Sequence, residues 1–205
     1  MQTDPTVFLV DDDAAALDSL KWLLETAGLD VETYNSAVEY LDAHDPQKPG
    51  CLVLDVCMPV MDGLDLQEKL VAIGERIPII FVTGHGNVPS SVQAMKAGAI
   101  DFVEKPVDGP SILRLVERAL EKDSQRRRQV ADRAEIEARI ERLSRREREV
   151  MELLYAGKSM KRIAAELGIS VQTVAKHRAQ ILEKMEVDGV AELARILTTY
   201  QLQEP

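Results

Sequence analysis

The sequence predicts an α/β domain with a doubly wound, parallel, five-stranded sheet, then a helical linker, then an all-α four-helix domain. Three observations lead there. From residue 6 to about 121 short apolar runs alternate with helical patterns, the signature of βα units in a parallel sheet. The runs end on chemically capable residues: Val7-Phe8-Leu9-Val10 meets Asp11-Asp12-Asp13, Cys51-Leu52-Val53-Leu54 meets Asp55, Ile79-Ile80-Phe81-Val82 meets Thr83-Gly84, and Phe102-Val103-Glu104 delivers Lys105-Pro106. Such strand ends share one edge of an open parallel sheet, where these folds bind their ligands. After Lys122 the pattern is helical throughout.

The expected boundaries are 1–122, 123–142 and 143–205. In the first segment helices are expected at Ala14 to Ala27, Leu64 to Ile73 and Val88 to Ala97, followed by Gly28, Gly74 and Gly98 at the places where a left-handed residue ends a helix. Ile112, Leu115, Val116, Ala119 and Leu120 follow the spacing of a helix with one buried face. The second segment is charged, lacks Gly and Pro, and carries sparse apolar residues at Val130, Ile136 and Ile140. It reads as a solvated helix supported by the pairs Glu135/Arg139 and Glu141/Arg145, with Arg126-Arg127-Arg128 on its solvated face. In the third, Ser144 and Glu147 have the spacing of a capping box, and Gly157 ends that helix. Met160 to Leu167 and Val171 to Met185 flank the turn Gly168-Ile169-Ser170. Asp188-Gly189 then precedes a last helix, Val190 to Thr199.

The chain has 205 residues and a formal net charge of -10. Its halves differ: 21 acidic and 9 basic side chains precede Asp123, against 14 and 16 from there on. The second half is close to neutral, so a nucleic-acid partner must be argued from motif rather than charge. No apolar run is long enough to cross a bilayer, and Met1-Gln2-Thr3-Asp4-Pro5 lacks the features of a signal peptide, so a soluble, cytoplasmic protein is expected. Cys51 and Cys57 lack the spacing of a zinc site; Cys51 reads as a core residue and Cys57 as a loop residue.

Clustered carboxylates coexist when a lysine or a hard cation sits among them. Mg²⁺ takes one or two carboxylates, carbonyl oxygen and water, which Asp12, Asp55 and the Cys57 backbone carbonyl can supply. Phosphoryl transfer needs an in-line nucleophile and groups that stabilise the equatorial oxygens. Asp55 can attack, Lys105 can neutralise charge and Thr83 can donate a hydrogen bond.

With Asp11 and Asp12, Asp55, Met58-Pro59, Asp62-Gly63, Thr83 and Lys105-Pro106 in this order, residues 6 to about 121 resemble a response-regulator receiver domain. The resemblance implies phosphorylation at Asp55, Mg²⁺ held by Asp11, Asp12, Asp55 and the Cys57 carbonyl, active-site and switch roles for Thr83, Lys105 and Phe102, and a cis Lys105-Pro106 peptide. Cys57 and His85, two residues past Asp55 and Thr83, occupy places that in receivers influence acyl-phosphate lifetime; His85 reads as loop-positioning. Aspartate-nucleophile phosphatases use a similar set, but they want a second Asp where this chain has Cys57.

Ala164, Gly168 and Val174 have helix-turn-helix spacing, with Ile163, Leu167, Ile169, Val174, Ile181 and Met185 as an inner face. Residues 143 to about 200 resemble the four-helix DNA-binding domain of the LuxR type, through Leu143-Ser144, Glu147, Glu149-Val150, Gly157-Lys158-Ser159, Ile163-Ala164, Thr173-Val174, His177 and Lys184-Met185. Together with Thr83-Gly84-His85-Gly86 and Ala94-Met95-Lys96-Ala97-Gly98-Ala99, the likeness is greatest to the FixJ branch of FixJ/NarL-type two-component regulators. Ala175 and Met160-Lys161-Arg162 depart from the common LuxR-type pattern, which puts phosphate grip and base preference in question. On the expected recognition helix Gln172, Thr173, Lys176 and Arg178 are the outward polar candidates, and Ala179 permits close approach to DNA; His177 reads as packed or phosphate-facing.

The sequence thus suggests a phosphorylation-switched DNA-binding transcriptional regulator. It is not expected to be an enzyme with substrate turnover: it accepts a phosphoryl group, with slow autodephosphorylation. The expected partners are a sensor histidine kinase, double-stranded promoter DNA, RNA polymerase and, when phosphorylated, a second copy; no membrane is expected. A metal-dependent phosphatase and a phosphorylation-independent scaffold are the rival classes.

Overall fold

The computed structural model describes residues 4–84 and 88–202, without the side chains of 88–90, 201 and 202. His85, Gly86 and Asn87 lie outside the described residues, and with them the expectation for His85. The chain divides into two compact units, Met1–Arg127 and Arg128–Pro205.

In the first unit, β1 (Thr6–Val10), β2 (Asp30–Tyr34), β3 (Gly50–Asp55), β4 (Ile79–Thr83) and β5 (Asp101–Glu104) alternate with α1 (Ala14–Thr26), α2 (Ala37–Ala43), α3 (Gly63–Ala72) and α4 (Val88–Lys96), and α5 (Gly109–Glu141) follows. The strands pair in parallel in the order β2-β1-β3-β4-β5. β1, β3 and β4 are buried along their whole length, which is why they read as continuous apolar runs rather than alternating ones. Their side chains nevertheless divide by parity. Phe8, Val10, Leu52, Leu54 and Phe81 join Ala37, Tyr40, Leu66, Leu70 and Ala94 from α2, α3 and α4 on one face. Val7, Leu9, Cys51, Val53, Ile80 and Val82 join Leu17 and Leu24 of α1 and Ile112, Val116 and Ala119 of α5 on the other. Helices cover both faces, the doubly wound arrangement the sequence predicts.

Local chemistry starts and stops the helices. Asp13 accepts the backbone N–H groups of Ala15 and Ala16 and so caps α1, while Asp62 and Asp65 form a reciprocal capping box at the start of α3. Gly28, Gly74 and Gly98 have φ of 83°, 80° and 96°, the left-handed endings expected of them. The second unit holds α6 (Arg145–Tyr155), α7 (Met160–Leu167), α8 (Val171–Lys184) and α9 (Val190–Leu202). Ser144 and Glu147 form the predicted capping box. Gly168, at φ 65°, closes α7, and Ser170 caps α8 two residues later. That pairing makes the turn tight, and Ile163, Ala164, Val174, Ile181 and Met185 fill the space beneath it.

The segment expected as a solvated linker is divided between the units. Asp123 is 1% exposed; it accepts the Gly50 N–H (3.0 Å) and the guanidinium groups of Arg126 and Arg127 (2.6 Å each). Arg127 also donates to the carbonyls of Pro46, Gln47 and Lys48, so it clasps the loop that leads into β3 rather than lining a wet face. Farther along, Ile136 and Ile140 pack on the helical core, whereas Val130 is 60% exposed. Arg139 pairs with Glu135 as expected. The Glu141/Arg145 pair does not form, because α5 stops at Glu141 and Arg145 opens α6, where it pairs with Glu149.

Candidate functional site: the acidic edge and the recognition helix

β1 and β3 are neighbours in space with β2 on the far side of β1, so the sheet order reverses between them, the position at which open α/β sheets bind ligands. Asp11 follows β1, and Asp55 ends β3. They are 4% and 5% exposed, and each accepts a hydrogen bond from Lys105, whose Nζ lies 2.6 Å from Asp11 Oδ2 and 2.8 Å from Asp55 Oδ1. The remaining oxygens are held by backbone: Asp11 Oδ1 accepts the Asp13 N–H at 3.0 Å and Asp55 Oδ2 the Cys57 N–H at 2.6 Å. Asp12 is exposed. One carboxylate oxygen from each of Asp11, Asp12 and Asp55 lies within 4.8 Å of the others.

Burial raises the Asp55 carboxyl above its ordinary range, an effect that Lys105 partly offsets. Burial works against the charge on Lys105, but the hydrogen bonds it donates to Asp11 and Asp55 outweigh it, and the ammonium is held more firmly protonated than usual. The cluster therefore keeps a positive charge within hydrogen-bond reach of two buried carboxyl groups.

Of the other predicted residues, Thr83 lies at the same edge, while Phe102 sits two residues back along β5, opposite Phe81. Thr83 ends β4, is fully buried, and its carbonyl accepts the Lys105 N–H at 2.7 Å. The Lys105-Pro106 peptide is cis. Phe102, on β5, is partly buried with its ring 5.9 Å from that of Phe81. Cys57 is exposed at the rim, and Cys51 is buried in the core. Gly63 approaches Asp55 so closely that a Cβ there would lie 2.3 Å from the Asp55 carbonyl oxygen, which accounts for glycine after Asp62. Val60 in the intervening loop has φ 70° and is 98% exposed, an uncommon conformation for a β-branched residue.

On α8 Gln172, Ala175, Lys176, Ala179 and Glu183 are all exposed, an i, i+3, i+4, i+7, i+11 stripe on one side of the helix. Thr173 is half-buried at its edge, its hydroxyl 2.8 Å from that of the capping Ser170. Arg178 departs from the expected outward set: four residues after buried Val174 and three before buried Ile181, it is half-buried on the flank. His177 is half-buried, and its Nδ1 is buried without a hydrogen-bond partner. Lys184, at the end of the helix, donates to Glu147 at 2.7 Å, and Arg139 donates to the Met185 carbonyl at 3.0 Å. Sequence reading missed both supports, although Glu147 and Lys184 stand in the motifs it quoted.

Two family models match the chain: the response regulator receiver domain over residues 7–117 and the bacterial regulatory proteins of the luxR family over 141–197. This chain is a response regulator with a LuxR-type DNA-binding domain. The transcriptional regulatory protein FixJ of Azorhizobium caulinodans is 45% identical over 93% of this chain and 90% of its own length. A structure of the response regulator StyR matches with a TM-score of 0.89 at 42% identity, covering 97% of this chain and all of the other. Full-length FixJ from B. japonicum matches at 39% identity and a TM-score of 0.61, covering 99% of this chain and 100% of that one. The response regulator is thus a transcription regulator of the FixJ kind, and no helix among its described residues is long and apolar enough to cross a membrane.

Proposed function

We propose that Asp55 accepts a phosphoryl group from a sensor histidine kinase and that this drives dimerisation and binding to promoter DNA. The observation that carries the reading is Lys105 Nζ bridging Asp11 and Asp55 at the sheet edge with Asp12 beside them. An Asp55 oxygen attacks phosphorus in line, the bond from phosphorus to the donor histidine breaks, and its electron pair returns to the imidazole. Lys105 then faces the added negative charge, and the Thr83 hydroxyl donates to a phosphoryl oxygen.

The donor set fits Mg²⁺: hard carboxylate oxygens from Asp11, Asp12 and Asp55, to which the Cys57 carbonyl would add a neutral ligand. When bound, the ion would balance negative charge on the transferring oxygens. The change at Thr83 and Phe102 is relayed to the face formed by α4 and β5, through which two copies pair. Each copy presents α8 to one half-site of a near-palindrome, with Gln172, Lys176 and Ala179 facing base edges, Thr173 at the margin and Arg178 reaching phosphate from the flank. The regulator works in the cytoplasm alongside RNA polymerase and does not turn over substrate. Light scattering provides the test: a small phosphodonor with Mg²⁺ should double the mass of the wild type and leave Asp55→Asn monomeric. An unchanged wild-type mass over a wide concentration range would overturn the dimerisation step.

A further inference from the structure

Away from the acidic edge, the buried polar side chains among the described residues of the first unit are Thr6, Gln67 and Asp123. Asp123 closes the clasp on the β3 loop. Gln67 does something different: it lies in the middle of α3, is 2% exposed, and its Nε2 donates to the Ala94 carbonyl of α4 at 3.2 Å. Ala94 is fully buried, and the same carbonyl accepts the Ala99 N–H at 3.1 Å where α4 ends. One residue along each helix, Gln93 donates to Glu68 at 3.2 Å in solvent. α3 thus starts in close approach to the Asp55 backbone at Gly63 and, from its own middle, grips the last turn of α4.

A buried amide without a partner is costly, so it favours discrete positions over gradual sliding. Any shift of α4 along α3 strips Gln67 of the Ala94 carbonyl, whereas Val92 and Met95, at 45% and 46% exposed, hold nothing comparable on the outer side. We propose that Gln67 is a positioning residue that latches α4 to α3 in the arrangement where both Asp55 oxygens are engaged by Lys105 and Cys57, and so sets how readily the α4 face is released to pair with a second copy. The inference rests on the dimerisation reading above, but the latch itself can be measured without it.

The substitution Gln67→Met keeps the length of the side chain and removes the donor, and the Ala94 carbonyl retains the Ala99 N–H, so no buried acceptor is orphaned. In the full-length protein without phosphodonor, amide exchange at Ala97, Gly98 and Ala99 should quicken roughly threefold to tenfold, the loss of about one hydrogen bond, while exchange in α1 stays as in the wild type. Phosphodonor labelling of Asp55 should be unchanged, and half-dimerisation should move to a concentration lower by a similar factor. Unaltered exchange in α4 would overturn the latch whatever the mass measurements show, and so would equal acceleration throughout the unit, the mark of general loosening. Quickened α4 exchange with labelling intact, in a protein whose wild type never dimerises, would uphold the latch and refute dimerisation instead.

Discussion

Asp11, Asp12 and Asp13 are consecutive and chemically alike, yet the backbone gives them three environments. Asp11 is drawn inward against Lys105, Asp12 faces solvent, and Asp13 caps α1. Their order at a strand end was legible in the sequence; the division of labour was not, because it follows from the φ and ψ by which the chain leaves β1 and enters α1. Glu147 shows the same economy. Its buried carboxylate is opposed by burial, but Lys184 and the N–H and hydroxyl of Ser144 more than compensate and hold it at about 2. A carboxyl depressed below its ordinary 4.5 contributes stability at higher pH that is lost as pH falls through 4.5 toward about 2. Urea unfolding followed by circular dichroism should lose about 1–3 kcal/mol from this source between pH 5 and pH 2.5, and Glu147→Gln should lose less over the same interval. Equal losses in the two proteins would remove Glu147 from the account.

The recognition helix shows what periodicity could have given and did not. Val174 and Ile181 already mark the buried side of α8, and counting from them puts Arg178 on the flank and Gln172, Lys176 and Ala179 in one outward stripe. Choosing polar residues by type alone grouped Arg178 with the stripe. If Lys176 reads a base, Lys176→Ala should cost about 1–3 kcal/mol on a specific duplex and relax preference at one position. Arg178→Ala should instead weaken specific and scrambled duplexes alike and reduce the salt slope. Titrations at several salt concentrations separate the two, and unchanged affinity in both variants would put recognition elsewhere.

Across the whole chain, what was legible tracks sequence distance. Strand ends, caps and helix-ending glycines depend on neighbouring residues, and the predicted elements lie close to the observed ones. The clasp at Asp123 joins it to Gly50, 73 positions away, and from sequence alone an acid followed by three arginines looks like a wet helix face. Asp123→Ala would strand the Gly50 N–H, leave Arg126 without its carboxylate and leave Arg127 only the loop carbonyls, and urea titration of the full chain should show a loss of about 2–4 kcal/mol. A change below about 0.5 kcal/mol would mean that the clasp is ornamental. The candidate acceptor was legible for the opposite reason: each of its side chains directly follows, or closely follows, an apolar strand that the sequence makes plain.

That edge also offers the most direct test. Incubation of the full-length protein with a small phosphodonor and Mg²⁺, followed by peptide mass mapping, should find one phosphoryl group, on Asp55, in the wild type and none in Asp55→Asn. Equal labelling of Asp55→Asn would contradict the account, because the arrangement of Asp11, Asp12 and Lys105 around Asp55 would then not be what selects the phosphorylated residue.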